Sequence, residues 1–287
     1  MEKAILKTLI YADLFDYPLK INELHKWLIG RKVTLRQLEK TLKVSRKYYF
    51  LQNRKNLVAQ RLKKEKQSAV YMRKAKIISQ ILKIIPWIKL VGISGGLALN
   101  NASKKDDIDL FIITAKNRLW LSRLFCLGLL SAIRQRRKVG DKGRKIAGKI
   151  CLNILLDEDR LEQNNKDIFV AHEVLQMRPL WQRVGIYSKF LEDNSWAFKF
   201  LPNWIAEVRI KNQESSLKQK KLNSKFLLLD SIADYFENLA KKFQLKIMQT
   251  PKGMERIEDG ALYFHPNDIR EEILKKYNQS LTRSANF

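Results

Sequence analysis

Ser94-Gly95-Gly96 closes one apolar run, Ile88 to Ile93, and Asp107 and Asp109 open another, Ile108 to Ile113, with ten residues between Gly96 and Asp107. The first group reads as strand, tight turn and helix start. Glycine lets backbone approach a ligand closely, and the amides of a first helical turn favour anionic oxygens. Side chains two apart on a strand share a face, so Asp107 and Asp109 converge while Ile108 and Leu110 point into the opposite layer. Two carboxylates beside a phosphate cradle imply Mg2+, which takes one or two carboxylates together with phosphate oxygens; two such ions can hold the attacking and leaving oxygens of an in-line displacement. Alone, Gly-Gly is commonly a turn and Asp-x-Asp a solvated strand entrance. Their order and spacing together are far more specific.

On Gly95, Gly96, Asp107 and Asp109 the chain resembles the polymerase beta-like nucleotidyltransferase superfamily, closest to its small minimal nucleotidyltransferase branch, over residues 86 to 156. The resemblance implies a mixed sheet with helices, and transfer of a nucleoside monophosphate from an NTP to an acceptor with release of pyrophosphate. Gly95 and Gly96, assisted by Ser94, would cradle the β and γ phosphates, and Asp107 and Asp109 would hold two Mg2+ ions against the α-phosphate. Superfamily members usually supply a third carboxylate from a later strand. The matching run here is Ile150 to Leu156, in which Asn153 is the strongly polar residue and shares a face, by alternation, with Cys151 and Leu155. Asparagine can lend a carbonyl oxygen to a metal but cannot accept a proton. Asp157 and Asp159, just beyond the run, are the alternatives. Asp107, Asp109 and Asn153 form the candidate catalytic set; without a third acid the core would bind nucleotide and not transfer it.

Composition limits the partners. Lys plus Arg number 56 against 29 Asp plus Glu, a formal charge of +27 that attracts phosphate polyanions, RNA or DNA first and anionic membrane second. A generally lysine-rich proteome would produce the same excess. Cys126 and Cys151 lie in apolar runs with no zinc spacing and no disulfide framework, so both read as small buried hydrophobes. The first ten residues are amphipathic and do not form a secretion signal, and the most apolar stretch, Leu119 to Ile133, is shorter than a membrane span and contains Arg123. The expectation is a soluble cytoplasmic protein without a membrane span.

The elements that would carry the site fall into four parts. Residues 1–60 show three amphipathic helices, the third opened by the capping-box pattern Thr34 to Gln37, with Leu35, Leu38 and Leu42 inward and Arg36, Lys40 and Lys43 outward. Tyr48 to Leu51 and Asn56 to Val58 flank the polar turn Gln52 to Lys55 as a hairpin, which makes the module resemble a winged helix-turn-helix with a nucleic-acid-binding third helix. Residues 61–86 form a long basic connecting helix. Residues 87–160 hold the nucleotidyltransferase-type core, with a helix over Asn117 to Arg134 in which Arg118 and Arg123 would neutralise phosphate if they face the cleft. A dense basic run with two glycines, Arg134 to Lys145, is either an acceptor-holding loop or a surface loop. Residues 161–287 read as a helical region with helices over Asp167 to Met177, Leu180 to Leu191, Trp196 to Ile205 and Ser224 to Phe243, a short strand over Ala261 to Phe264 and a last helix from Pro266. His172 has no second histidine nearby and reads as structural.

The expectation is therefore an α/β (α+β) fold: a nucleotidyltransferase-type mixed sheet with helices, preceded by a winged-helix-like module and followed by a helical region. Its function would be Mg2+-dependent transfer of NMP from NTP to an RNA, protein or small-molecule acceptor. The competing class is a catalytically degenerate core acting as a nucleic-acid-binding regulator. No residue specifies the acceptor, the base or an oligomeric state.

Overall fold

The computed structural model describes residues 1–42, 46–51, 54, 56–138, 140–141, 143–183, 185–204, 227–248, 256–264 and 269–285. Within them the chain is mixed α/β. Helices α1 (Glu2–Asp13), α2 (Ile21–Lys26) and α3 (Leu35–Leu42) precede the long α4 (Leu57–Leu82). Then come β1 (Ile88–Ile93), the single turn α5 (Gly95–Ala98), β2 (Ile108–Thr114), α6 (Leu119–Ala132) and β3 (Ile150–Asp157). The remainder comprises α7 (Ile168–Gln176), β4 (Arg178–Gln182), α8 (Ile186–Asp193), α9 (Ala197–Phe200), α10 (Leu227–Met248), β5 (Arg256–Glu258), β6 (Ala261–Tyr263) and α11 (Arg270–Ala285).

The strands form one sheet in the order β4-β1-β2-β3-β6-β5, in which β2 and β3 run parallel and the other neighbours antiparallel. A parallel pair needs a crossover, and α6 provides it. Alternation along β2 splits the core in two. Ile108, Leu110 and Ile112 pack with α4 and α6 on one face, while Phe111 and Ile113 pack with α1, α2, α7 and α8 on the other. Asp109 therefore projects to the second face, where the N-terminal helices lie.

Local chemistry explains several ends. The Thr34 amide donates to Gln37 Oε1 at 2.8 Å and the Gln37 amide to Thr34 Oγ1 at 3.3 Å, the reciprocal box that opens α3. Asp167 caps α7 by accepting from the amides of Phe169 and Val170.

Two expectations are corrected. Leu57 and Val58 open α4 instead of forming the second arm of a hairpin, with Asn56 as N-cap at φ +68° and Leu57 buried; Tyr49 pairs instead with Leu19 in an isolated antiparallel bridge. Gln52, Asn53 and Lys55 lie outside the described residues, as does the whole stretch from 205 to 226. Leu180 does not begin a helix. Residues 178–182 form edge strand β4 against β1, where Pro179 is tolerated because an edge strand needs fewer donors. With β5 and β6, the region after residue 160 thus contributes three strands to the sheet as well as its helices.

The N-terminal helices are tied to the sheet by one continuous apolar cluster and by polar links. Tyr17 donates to the Leu99 carbonyl at 3.0 Å and Asn101 to the Phe15 carbonyl at 3.1 Å. Arg61 of α4 is 1% exposed; it pairs with Glu23 at 2.6 Å and Glu65 at 3.0 Å, donates to the Pro18 carbonyl and lies 4.3 Å from the Tyr17 ring centre. Among the described residues no helix is long and apolar enough to cross a membrane.

Candidate active site

The turn after β1 and the start of β2 meet directly. The Ser94 amide donates to the Asp109 carbonyl at 3.1 Å. Gly95 adopts φ +60°, and a Cβ there would lie 3.0 Å from Asp109 Oδ2, so the turn is built for glycine twice over, by backbone conformation and by the carboxylate against it. Gly96 follows in the first turn of α5, whose opening amides have no acceptor within the helix.

Register across the parallel pair places Cys151 opposite Asp109. One oxygen each of Asp107 and Asp109 and the Cys151 sulfur all lie within 4.8 Å of one another. The donor set discriminates: burial pushes the Cys151 thiol up, with both carboxylates adding to the effect, so the sulfur stays protonated and the carboxylates are the available ligands. A hard cation suits two carboxylates better than a thiol-dependent one.

The electrostatics are uneven. Arg137 Nη1 pairs with Asp107 at 2.5 Å and reaches Cys151 Sγ at 3.8 Å. Its backbone is fixed by donation to the Ile150 carbonyl at 2.9 Å. The Asp109 carboxylate has no hydrogen-bond donor or ion pair among the described residues. Burial, then the Asp107 charge, raises its pKa well above the ordinary carboxylate range, and Arg137 offsets this only in part. A bound cation would relieve that strain.

The third position departs from simple alternation. Leu110 pairs with Leu152 but Phe111 pairs with Ile154, a slip of one residue that leaves Asn153 unpaired on β3. Such a bulge re-aims a side chain. Asn153 is buried and donates from Nδ2 to Ser94 Oγ at 3.4 Å, while Leu155 packs on the opposite face, against the sequence expectation. Asn153 thus supports the cradle. Asp157 pairs with Thr114 at the other end of the strands, about 16 Å along β2 from Asp109 at 3.3 Å per residue. Neither Asp157 nor Asp159 can complete the Asp107–Asp109 pair.

Other sequence candidates are dispersed. Arg36 and Lys40 stand exposed on α3, away from this site, and Lys43 lies outside the described residues. Arg118 pairs with Asp234, and Arg123 donates to Gln244 at 2.5 Å and stacks over Phe264. Both anchor α10 and do not face the carboxylates. His172 donates from Nδ1 to the Ile168 carbonyl at 2.9 Å and stacks on Tyr11 at 4.0 Å; burial lowers its pKa to about 4.

Three residues escape sequence reasoning. Arg137 was one of many cations in a basic run, and only its backbone pairing with β3 singles it out. Cys151 acquires meaning from the parallel register. Glu173 is the one acid in the apolar helix Ile168–Gln176, a signal that was available. Burial raises its pKa to about 7, and its charge in turn raises Asp109. Comparison of the chain with protein families, characterised proteins and solved structures finds no match.

Proposed function

We propose that the chain is a Mg2+-dependent nucleotidyltransferase that moves NMP from an NTP to an acceptor nucleophile and releases pyrophosphate. The observation that carries this reading is the meeting of Asp107 and Asp109 with the Gly95 turn, Asp109 Oδ2 lying where a Gly95 side chain would begin. Mg2+, when bound, supplies charge neutralisation at the phosphates. Asp107 and Asp109 would hold it, and the amides of Gly95 and Gly96, with Ser94 fixed by Asn153, would receive phosphate oxygens. Arg137 can exchange the Asp107 carboxylate for phosphate oxygens, a planar guanidinium being suited to both. Glu173 lies on α7, which packs on the Asp109 face of the sheet, and its charge is felt at Asp109; it is our choice for the base that takes the acceptor proton. In this reading α7 would supply the acid that Asn153 cannot be.

The test is label transfer from each α-labelled NTP into cell extract with Mg2+, beside the Asp107→Asn/Asp109→Asn variant. Label entering an RNA, protein or small-molecule fraction only with the unaltered chain is the expected result. No transfer from any of the four would overturn the proposal.

A second reading, a degenerate core serving as a nucleic-acid-binding regulator, draws on the exposed basic face of α3, where Leu38 is buried and Arg36 and Lys40 face solvent. It requires duplex binding that falls with salt and is lost in Arg36→Ala/Lys40→Ala but retained in Asp107→Asn.

A further inference from the structure

α10 buries small and polar side chains and exposes large apolar ones. Ala233, Glu237, Ala240 and Gln244, spaced three and four apart, form its buried face, with Leu245 and Met248 half-buried beside them. Glu237 accepts from the amides of Trp120 and Leu121 at 2.7 and 2.8 Å, and Gln244 donates to the Trp120 carbonyl at 2.8 Å, so polar bonds fasten the helix to α6. Five large side chains stand outside: Tyr235 is 69% exposed, Phe236 48%, Leu239 51%, Phe243 55% and Ile247 58%. A surface helix ordinarily turns such a stripe to the core. Tyr235, Leu239, Phe243 and Ile247 recur every fourth residue and form one ridge, about 18 Å long at 1.5 Å per residue. Phe236 widens it, its ring centre 5.6 Å from that of Tyr235.

Size, shape and charge say what covers this ridge. With aromatic side chains of roughly 150–250 Å² each, five residues about half exposed leave roughly 500 Å² of apolar surface on one helix. A standard interface buries about 800 Å² per partner, and in homodimers about 65% of that is apolar, roughly 520 Å². The ridge supplies that share by itself. Its shape suits a copy of itself, because rows of every fourth residue interdigitate with rows of the same kind, crossing near −50° in the commonest class of helix packing. After Asp234 the exposed charges of α10 are Lys241, Lys242 and Lys246, of which the last two flank the ridge. At a wet rim their mutual repulsion is screened by salt, and their stems can cover apolar surface.

We propose that α10 is a dimerisation helix, its ridge packed on the same ridge of a second copy of this chain about a two-fold axis between Leu239 and Phe243. The interface uses none of Gly95, Asp107 or Asp109 and stands if the proposed transfer fails.

The experiment is sedimentation equilibrium of the full chain, treated with nuclease and freed of nucleic acid, over about 1–100 μM protein at about 0.15 and about 0.5 M NaCl. The expected result is a dimer at the upper concentrations, held at least as tightly at the higher salt. Leu239→Glu/Phe243→Glu, at two exposed positions, should keep the circular dichroism of the parent and weaken the dimer by about a hundredfold or more, since each carboxylate would be buried unpaired. Leu239→Ala/Phe243→Ala, which introduces no charge and favours the helix, should weaken it by about tenfold. Ile77→Glu, at a position of α4 that is 62% exposed, should leave it unchanged. A monomer across the whole range, a dimer that dissociates at the higher salt, or a dimer indifferent to both double variants would each overturn the proposal. Binding of a monomeric chain to phosphatidylserine vesicles, lost in Leu239→Glu/Phe243→Glu, would also overturn it and give the ridge to a lipid surface.

Discussion

Carboxylates gather at both ends of the parallel β2–β3 pair, and the two groups are treated differently. At the far end Asp157 accepts from the amides of Asn117 at 2.7 Å and Asp159 at 3.1 Å, Glu237 accepts from Trp120 and Leu121 at 2.7 and 2.8 Å, and Asp159 pairs with Lys116 at 2.9 Å. Those acids close turns and cap α6. At the near end Asp107 has a single guanidinium and the Asp109 carboxylate has neither amide nor ion pair among the described residues, although burial disfavours its charge. Acids that build the fold are met by donors within the chain. The carboxylate that no described donor meets is Asp109, and the proposed function assigns it to a ligand.

The contrast can be broken by substitution. Asp109→Asn should lower transfer by roughly 10³-fold, the scale of losing a main electrostatic contact at a reacting phosphate, while thermal unfolding shows the variant as stable as the parent or more so. A variant that kept full transfer would remove the near end from the chemistry. Glu23 and Glu65 are the intermediate case, two acids sharing the buried Arg61. Arg61→Ala should destabilise by about 3 kcal/mol in denaturant unfolding, because it leaves a partly buried acid uncompensated. At the far end Glu237→Ala should cost about 2 kcal/mol by loss of two charge-assisted bonds to amides, with transfer per folded molecule unchanged. Lost transfer in that variant would show that the two ends are not separable.

The smallest effect concerns pH and two neighbours on α7. His172 has its pKa lowered to about 4, so between there and its ordinary value of 6.5 the unfolded chain binds the extra proton and stability rises with pH. Glu173 has its pKa raised from 4.5 to about 7, so in that interval the folded chain binds the extra proton and stability falls as pH rises. The two slopes oppose one another. With Asp109 adding a falling slope of its own, His172→Phe should steepen the fall of stability with pH between pH 5 and 6.5 and Glu173→Gln should flatten it, each by a change approaching about 1.4 kcal/mol per pH unit. Identical pH profiles for the two variants would contradict both assignments.

The near end was legible in sequence because its parts are local. A glycine turn and two acids spaced for one strand face lie within sixteen residues, Ser94 to Asp109, and need only a strand period to be assembled. Its surroundings were not legible, since Arg137, Cys151 and Glu173 reach it through pairing and packing between distant segments. Asn153 was identified, but its role was not, because a one-residue slip in register has no sequence marker. β4 was misread for a similar reason: Leu180, Trp181 and the following apolar residues fit a helix, and only pairing with β1 decides otherwise. Gly92 leaves the space for that approach, as a Cβ there would meet Met177 Sδ at 2.7 Å. The N-terminal helices were well marked by period and capping box, whereas the hairpin was inferred from a polar turn between apolar pairs, a pattern a helix start satisfies equally.

The strand order also bears on synthesis. β3 emerges from the ribosome soon after β2 and pairs with it on one side, but its other neighbour, β6, is translated only after Tyr263 has been reached, with β4 on the far side of the sheet already complete. Until then Ile154, Leu155 and Leu156 present an open edge of unpaired amides and carbonyls, the kind of surface through which nascent chains join one another. Truncation before Ala261 would make that transient edge permanent, so the C-terminal hairpin serves the growing chain as a closing strip against aggregation.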